Sequence, residues 1–268
     1  MVQSNIAVFG LQVCKLFHMP CPIEIREARG VRTLHFGSDW VQGAMRINRP
    51  HDLELAYTRD MMAALLLAAR WPAMPMRILQ IGLGAASLTR FIYASLPAAQ
   101  QVVIELEPVV VRAARQAFNL PPLGDRLQIE IAEGAAWIKS STEQYDLILI
   151  DGFDAEGDTG DLESLSFYQH CRARLADGGI LVCNFLSRSP RFLKSCIALD
   201  AAFHGQSRLL PQTPGGNVIA LGAVSVTAQL DEASLRERCV KLEADTGLDL
   251  GPLVERIVTQ EDGLPFGV

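Results

Sequence analysis

From Arg77 onward the chain alternates short apolar runs with amphipathic ones, and this rhythm constrains the fold more than any other feature. The runs at 77–81, 101–106, 127–132, 146–151 and 179–185 have strand length. The stretches at 86–96, 108–118, 134–140, 162–175 and 190–203 read as the helices between them. Apolar strands separated by helices require a mostly parallel sheet covered on both faces, an α/β arrangement. Local punctuation agrees. Pro108 suits the first position of its helix, where a missing N–H costs nothing, and Pro121-Pro122 stop that helix. "ADGG" (176–179) is expected to end a helix with a left-handed glycine cap. "SRLLPQTPGGNVIALGAVSV" reads as a hairpin closing a sheet edge, and 230–260 as two terminal helices.

Residues 1–50 follow another pattern. "IEIREARGVRTLHFGSDWVQGAMRI" alternates in short runs broken by turn signals, which predicts a small domain of two or three antiparallel strands. The remainder, 51–268, forms the main domain. It opens with a predicted helix over 53–70 and a loop at "WPAMP", 71–75.

Composition narrows the function. A net charge of −6 argues against nucleic acid as a partner. The longest apolar run, "MMAALLLAA", is too short to cross a membrane, and the N-terminus lacks a signal-peptide pattern. The six cysteines form no C-x-x-C pair, and the five histidines are scattered. This predicts reduced thiols, no metal site and a cytoplasmic protein.

The residues that carry chemistry fall at strand ends. In "RILQIGLGAASLTRF", Gly82 and Gly84 let a strand turn tightly into a helix whose free N–H groups can meet a ligand. The same glycines also suit a plain strand-to-helix turn. Glu105 ends the next strand, where an acid can accept both ribose hydroxyls, while Glu107 is placed to cap the following helix. Glu133 follows the third strand, either taking an adenine amino group or capping a helix. "YDLILIDGFDAEGD" delivers Asp151 and Asp154 to the same rim, and a carboxylate ending a buried strand is costly without a partner. Two acids there can hold a cationic amine, and one can take its proton. The nearby Glu156, Asp158 and Asp161 read as a solvated acidic loop.

In order along the chain, "ILQIGLGAAS", "VVIELEP", "IAEGAAWI", "YDLILIDGFD", "SFYQHCRARLADGGILVCNF" and "PGGNVIALGA" resemble segments of the spermidine synthase family, the polyamine aminopropyltransferases. The resemblance covers roughly residues 20 to 225. It implies a Rossmann-like, class I methyltransferase-type domain with an N-terminal β-hairpin domain, arranged as a homodimer. It implies a donor of the S-adenosylmethionine type, decarboxylated in that family, and a small-molecule amine acceptor. By position it makes Glu105 the ribose ligand, Glu133 the adenine ligand and Asp151 the catalytic acid/base. Asp154, Asp60 and Gln42 become substrate-binding residues. Trp40 suits either a two-fold contact or the core.

The departures lie in the polyamine half. The family pattern G-G-G-D-G-G stands here as Gly82-Leu83-Gly84-Ala85-Ala86-Ser87, so the aspartate expected to meet the donor's amine is Ala85. That forgoes a charge-assisted bond of roughly 1.5–3 kcal/mol. The Tyr-His-Glu segment falls on "YTRDMM", with Arg59 or Thr58 at the histidine's place and Asp60 at the glutamate's, and an arginine turned into a diamine pocket would repel the substrate. The expected activity is therefore an aminopropyl-type transfer. An S-adenosylmethionine-dependent methyltransferase and a nucleoside-binding protein without turnover are the alternatives, and a nicotinamide dehydrogenase, which the acids at 133 and 151 fit less well, is a distant fourth.

Overall fold

The computed structural model describes residues 22–67, 76–152, 160–224 and 231–259. A small antiparallel sheet comes first: β1 (Ile23–Ala28), β2 (Val31–Phe36) and β3 (Gly43–Arg46), in the order β1-β2-β3. Then follow α1 (Ala56–Met61) and α2 (Ala64–Leu67). The main body runs β4 (Arg77–Ile81), α3 (Ser87–Ser95), β5 (Gln100–Glu105), α4 (Pro108–Ala117), β6 (Leu127–Ile131), α5 (Gly134–Ser140) and β7 (Tyr145–Ile150). It continues through α6 (Leu165–Ala173), β8 (Leu175–Leu186), α7 (Phe192–Ala202), β9 (Ser207–Leu209) and β10 (Asn217–Ala223), ending with α8 (Glu232–Thr246) and α9 (Gly251–Val258).

The seven-stranded sheet has the order β6-β5-β4-β7-β8-β10-β9. Strands β4 to β8 pair in parallel, and β10 pairs antiparallel with both β8 and β9. The expected edge hairpin is therefore present, and the mostly parallel class holds. Both faces are apolar, as the continuous runs require. Ile78, Leu147, Leu149, Val182 and Leu221 pack toward α1–α3 and the C-terminal helices. Leu79, Ile81, Ile148, Ile150 and Leu181 pack toward α6 and α7. The small sheet shares a third core with α4 through Leu34, Met45, Val110 and Phe118.

The chain leaves β4 toward β5 on one side and later returns to place β7 on the other. A crevice opens outside the carboxyl ends of the strands at such a switch point. It lies beside the point where Gly82, after β4, meets Asp151, after β7.

Three local expectations change. The predicted helix over 53–70 is interrupted at Met62-Ala63, where i→i+3 bonds (Met62 N–H to Arg59 O, Ala63 N–H to Asp60 O) tighten the turn. Positions 68–75 lie outside the described residues. "ADGG" does not cap a helix. The helix already ends at Arg174, and 176–179 form an irregularity within β8, where the pairing jumps from Tyr145↔Leu175 to Leu147↔Ile180. The helix expected from 162 begins at Leu165, because Ser164 accepts from Phe167 N–H as N-cap, and a 3-10 turn fills Gly160–Glu163.

Candidate active site

The turn after β4 is built from two glycines with different duties. Gly82 has φ +92°, and a Cβ there would lie 2.2 Å from the Asp151 carbonyl oxygen. Its glycine is demanded by the backbone at the end of β7. Gly84 has φ +51°, with Gln42 O as the nearest atom at 3.6 Å. Ala86 takes the N-cap of α3 in the left-handed region at φ +55°, a strained choice for a residue with a Cβ. Ser87 stands where a third glycine is common and donates its Oγ hydrogen bond to Ala44 O at 3.0 Å. That bond ties the turn to β3.

Arg90, one turn into α3, has no exposed surface. Its guanidinium donates to Pro50 O (2.7 Å), Phe118 O (2.8 Å) and Ala85 O. Burial pulls its pKa down to about 10. This cation locks the turn, the small sheet's exit and the end of α4 together.

Glu105 is 7% exposed, and its carboxylate faces the turn. Oε2 accepts from Leu83 N–H at 2.8 Å and Oε1 from Glu107 N–H at 2.9 Å. Burial raises its pKa against those bonds. Glu107 occupies the N-cap of α4, as expected, although its side chain makes no capping bond; Pro108 follows within the first turn. Glu133 is exposed and caps α5, accepting from Ala135 N–H (2.8 Å) and Ala136 N–H (2.6 Å). Of its two sequence readings, the cap is the one formed here.

Asp151 is the centre of the site. Oδ1 accepts from Asn184 Nδ2 at 2.9 Å, and Oδ2 from the Tyr57 hydroxyl at 3.2 Å. Burial raises the carboxyl pKa, while these two donors oppose the rise. Burial and the adjacent carboxylate also push the Tyr57 hydroxyl well above its usual range. A cleft beside the pair is lined by Gln42, Tyr57, Thr58, Gln80, Ala85 and Asp151, among others. Gln80 is 2% exposed and immobilised, donating to Gly82 O at 2.7 Å and accepting from Thr89 Oγ1 at 2.9 Å.

Sequence reading thus placed Gly84, Gln42 and Asp151 at one cleft, with Gly82 in the turn at its edge and Glu105 bonded to that turn. One expected substrate-binding residue lies elsewhere. Asp60 does not line the cleft: it is 4% exposed and bonds Arg256 on α9. Arg59 does not face the cleft either, since Nη1 donates to Leu53 O (2.8 Å) and Glu54 O (3.1 Å). Of the two residues expected at the histidine's place, Thr58 is the one that lines the cleft, so no arginine faces a bound cation from there. Asp154 lies outside the described residues, with Glu156 and Asp158. Ala85 is 2% exposed and packs against Gly43. Trp40 is half-buried under Arg188, whose guanidinium lies 4.0 Å from the ring centre.

Asn184 was missed as a partner of Asp151, and Tyr57 was placed only within the "YTRDMM" segment, without a role of its own. Asn184 left a signal: an amide in the apolar run "ILVCNFL" must find a buried partner. Among the described residues, no group of His, Cys, Asp or Glu is arranged to hold a metal, and no helix is long and apolar enough to cross a membrane.

Residues 54–196 match the model of the spermine/spermidine synthase domain. A polyamine aminopropyltransferase of Chromobacterium violaceum is 36% identical over 235 residues, covering 88% of each chain. A probable spermidine synthase from Corynebacterium glutamicum shares the fold at TM-score 0.67 and 19% identity, over 85% of this chain and 91% of that one. A spermidine synthase in complex with the transition-state analogue AdoDATO does so at TM-score 0.64 and 16% identity, over 90% and 86%. With the family model matching over half of its length, this chain belongs to the spermine/spermidine synthase family.

Proposed function

We propose that the protein is an aminopropyltransferase that binds a decarboxylated S-adenosylmethionine-type donor and alkylates a small amine. The observation that carries this is Asp151, a half-buried carboxylate at the switch point with one oxygen turned to the Tyr57 hydroxyl beside the cleft. Glu105 lies against the Gly82–Gly84 turn and is ready to exchange its backbone partners for ribose hydroxyls. Glu133 stands at the adenine end, each of its oxygens keeping a second lone pair. Gln42 and Asp154 complete the substrate side in this reading.

The acceptor enters as an ammonium, which is no nucleophile until it loses a proton. Asp151 takes that proton. The freed nitrogen lone pair attacks the methylene carbon next to the sulfonium, and the C–S bond electrons return to sulfur. The products are the substituted amine and neutral methylthioadenosine. Alignment of nitrogen, carbon and sulfur supplies most of the acceleration, and the raised pKa of Asp151 brings the base nearer to neutral pH. The reading extends to a cytoplasmic protein, in keeping with free thiols at Cys171, Cys183, Cys196 and Cys239, and to a homodimer on the family resemblance alone.

A second reading rests on Ala85. With a methyl group packed on Gly43 at that position, a donor amine loses an acidic partner, and an intact methionine tail loses nothing. That favours methyl transfer. Calorimetric titration separates the two: methylthioadenosine binding more tightly than S-adenosylhomocysteine is expected, and the reverse order would establish the methyltransferase. Asp151→Asn should then abolish methylthioadenosine release from the decarboxylated donor while nucleoside binding persists. Retained turnover would remove Asp151 from the mechanism.

A further inference from the structure

Asp151 terminates a line of side-chain amides that crosses the sheet. Its Oδ1 accepts from Asn184 Nδ2 at 2.9 Å, and Asn184 Oδ1 accepts from Asn217 Nδ2 at 3.0 Å. The backbone of Asn217 is itself held. Its N–H donates to Thr213 Oγ1 at 3.1 Å, and its carbonyl accepts from Thr213 N–H at 2.8 Å. Asn184 is 5% exposed and Thr213 3%. An amide can present either end to a partner, but an ionised carboxylate only accepts. Ionised Asp151 therefore requires the NH2 of Asn184, and that orientation requires the NH2 of Asn217. The line presents a donor to Oδ1, which stays an acceptor whether Asp151 is ionised or carries a proton on Oδ2, and the bond is stronger to the ionised form.

We propose that Asn184, held in turn by Asn217, is a positioning residue for the transfer reaction. It occupies Oδ1 of Asp151, favours the ionised form, and leaves Oδ2 as the oxygen that receives the acceptor's proton. This rests on the aminopropyl-transfer reading above. Among the described residues, the groups that bear on the charge of Asp151 are the Asn184 amide from β8 and the Tyr57 hydroxyl from α1. The turn after β4 brings backbone at Gly82, and β4 itself brings the neutral amide of Gln80.

The test is a 13C-carboxyl NMR titration of Asp151 in the full chain, its resonance assigned by its loss in Asp151→Asn. Wild type, Asn184→Leu and Asn217→Leu are compared, with the pH dependence of kcat/KM measured alongside. Asn184→Leu is expected to raise the titration midpoint by about one pH unit or more, because a donor to the charged form is lost. Asn217→Leu should move it the same way by less, and the acid limb of kcat/KM should follow in both. An unchanged midpoint in Asn184→Leu overturns the proposal, even if turnover falls, since a purely structural role lowers activity without moving the titration. Should Asn184→Leu fail to fold, Asn217→Leu carries the same two outcomes. If wild type transfers no aminopropyl group yet the midpoint still moves, the functional reading falls while the charge-setting role of Asn184 stands.

Discussion

Replacing Gly82 with alanine would put a Cβ 2.2 Å from the Asp151 carbonyl oxygen, 2.7 Å from its carbon and 3.0 Å from Gly152 N. Atoms do not rest that close, and the obstacle is backbone on a central strand, so β4 and β7 must part at their ends by about 1 Å. Overpacking of this kind costs roughly 1–3 kcal/mol. Holding alanine at φ +92° adds roughly 1–2 kcal/mol. The expected loss is about 2–5 kcal/mol of unfolding free energy. Activity should suffer separately. The displaced backbone carries Asp151, whose bonds to Tyr57 and Asn184 are 3.2 and 2.9 Å long, and a shift of about 1 Å at a reacting group is worth roughly 100-fold in rate. Gly84→Ala is the control. Its nearest neighbour would be Gln42 O at 3.6 Å, an ordinary contact, so only the backbone cost of about 1 kcal/mol remains. Urea unfolding and steady-state turnover on the two variants make the comparison. If Gly82→Ala were as stable and as active as Gly84→Ala, the claim that Gly82 serves backbone approach to Asp151 would be refuted.

Two further outcomes follow from buried charge. Burial lifts Asp60 to about pKa 6 from 3.8, against the pull of Arg256 and Arg59. Between those values the folded protein binds more protons than the unfolded chain, so stability falls as pH rises from about 4 to 6 and stays lowered above that, by about 3 kcal/mol at most. Asp60→Asn should remove this slope, and parallel stability–pH curves for wild type and variant would contradict it. Arg90→Met should cost about 3 kcal/mol in urea unfolding, because it strands three buried carbonyls at Pro50, Ala85 and Phe118. It should also weaken methylthioadenosine binding, and unchanged stability would mean that those carbonyls find other donors.

The sequence by itself determined the strands, the helices between them and the acids at strand ends. Those features depend on neighbours a few residues apart: a run of apolar side chains, a proline at a helix start, two glycines in a turn. Where a strand ends also says which residue reaches the rim, so Glu105 and Asp151 were legible in advance. Tertiary structure alone decided what each polar group bonds. Tyr57 reaches Asp151 across 94 residues of chain, Asn184 and Asn217 are 33 apart, and Arg256 claims Asp60 from 196 residues away. Nothing local distinguishes an Asp60 that faces substrate from one that faces another helix, because both sit on the same short helix with the same neighbours. Glu133 was undecided for a related reason: a helix N-terminus and a ligand offer a carboxylate the same kind of N–H donor. Periodicity is written into short stretches, whereas partnership between buried polar groups is settled only when distant segments pack and each group must replace the water it has lost.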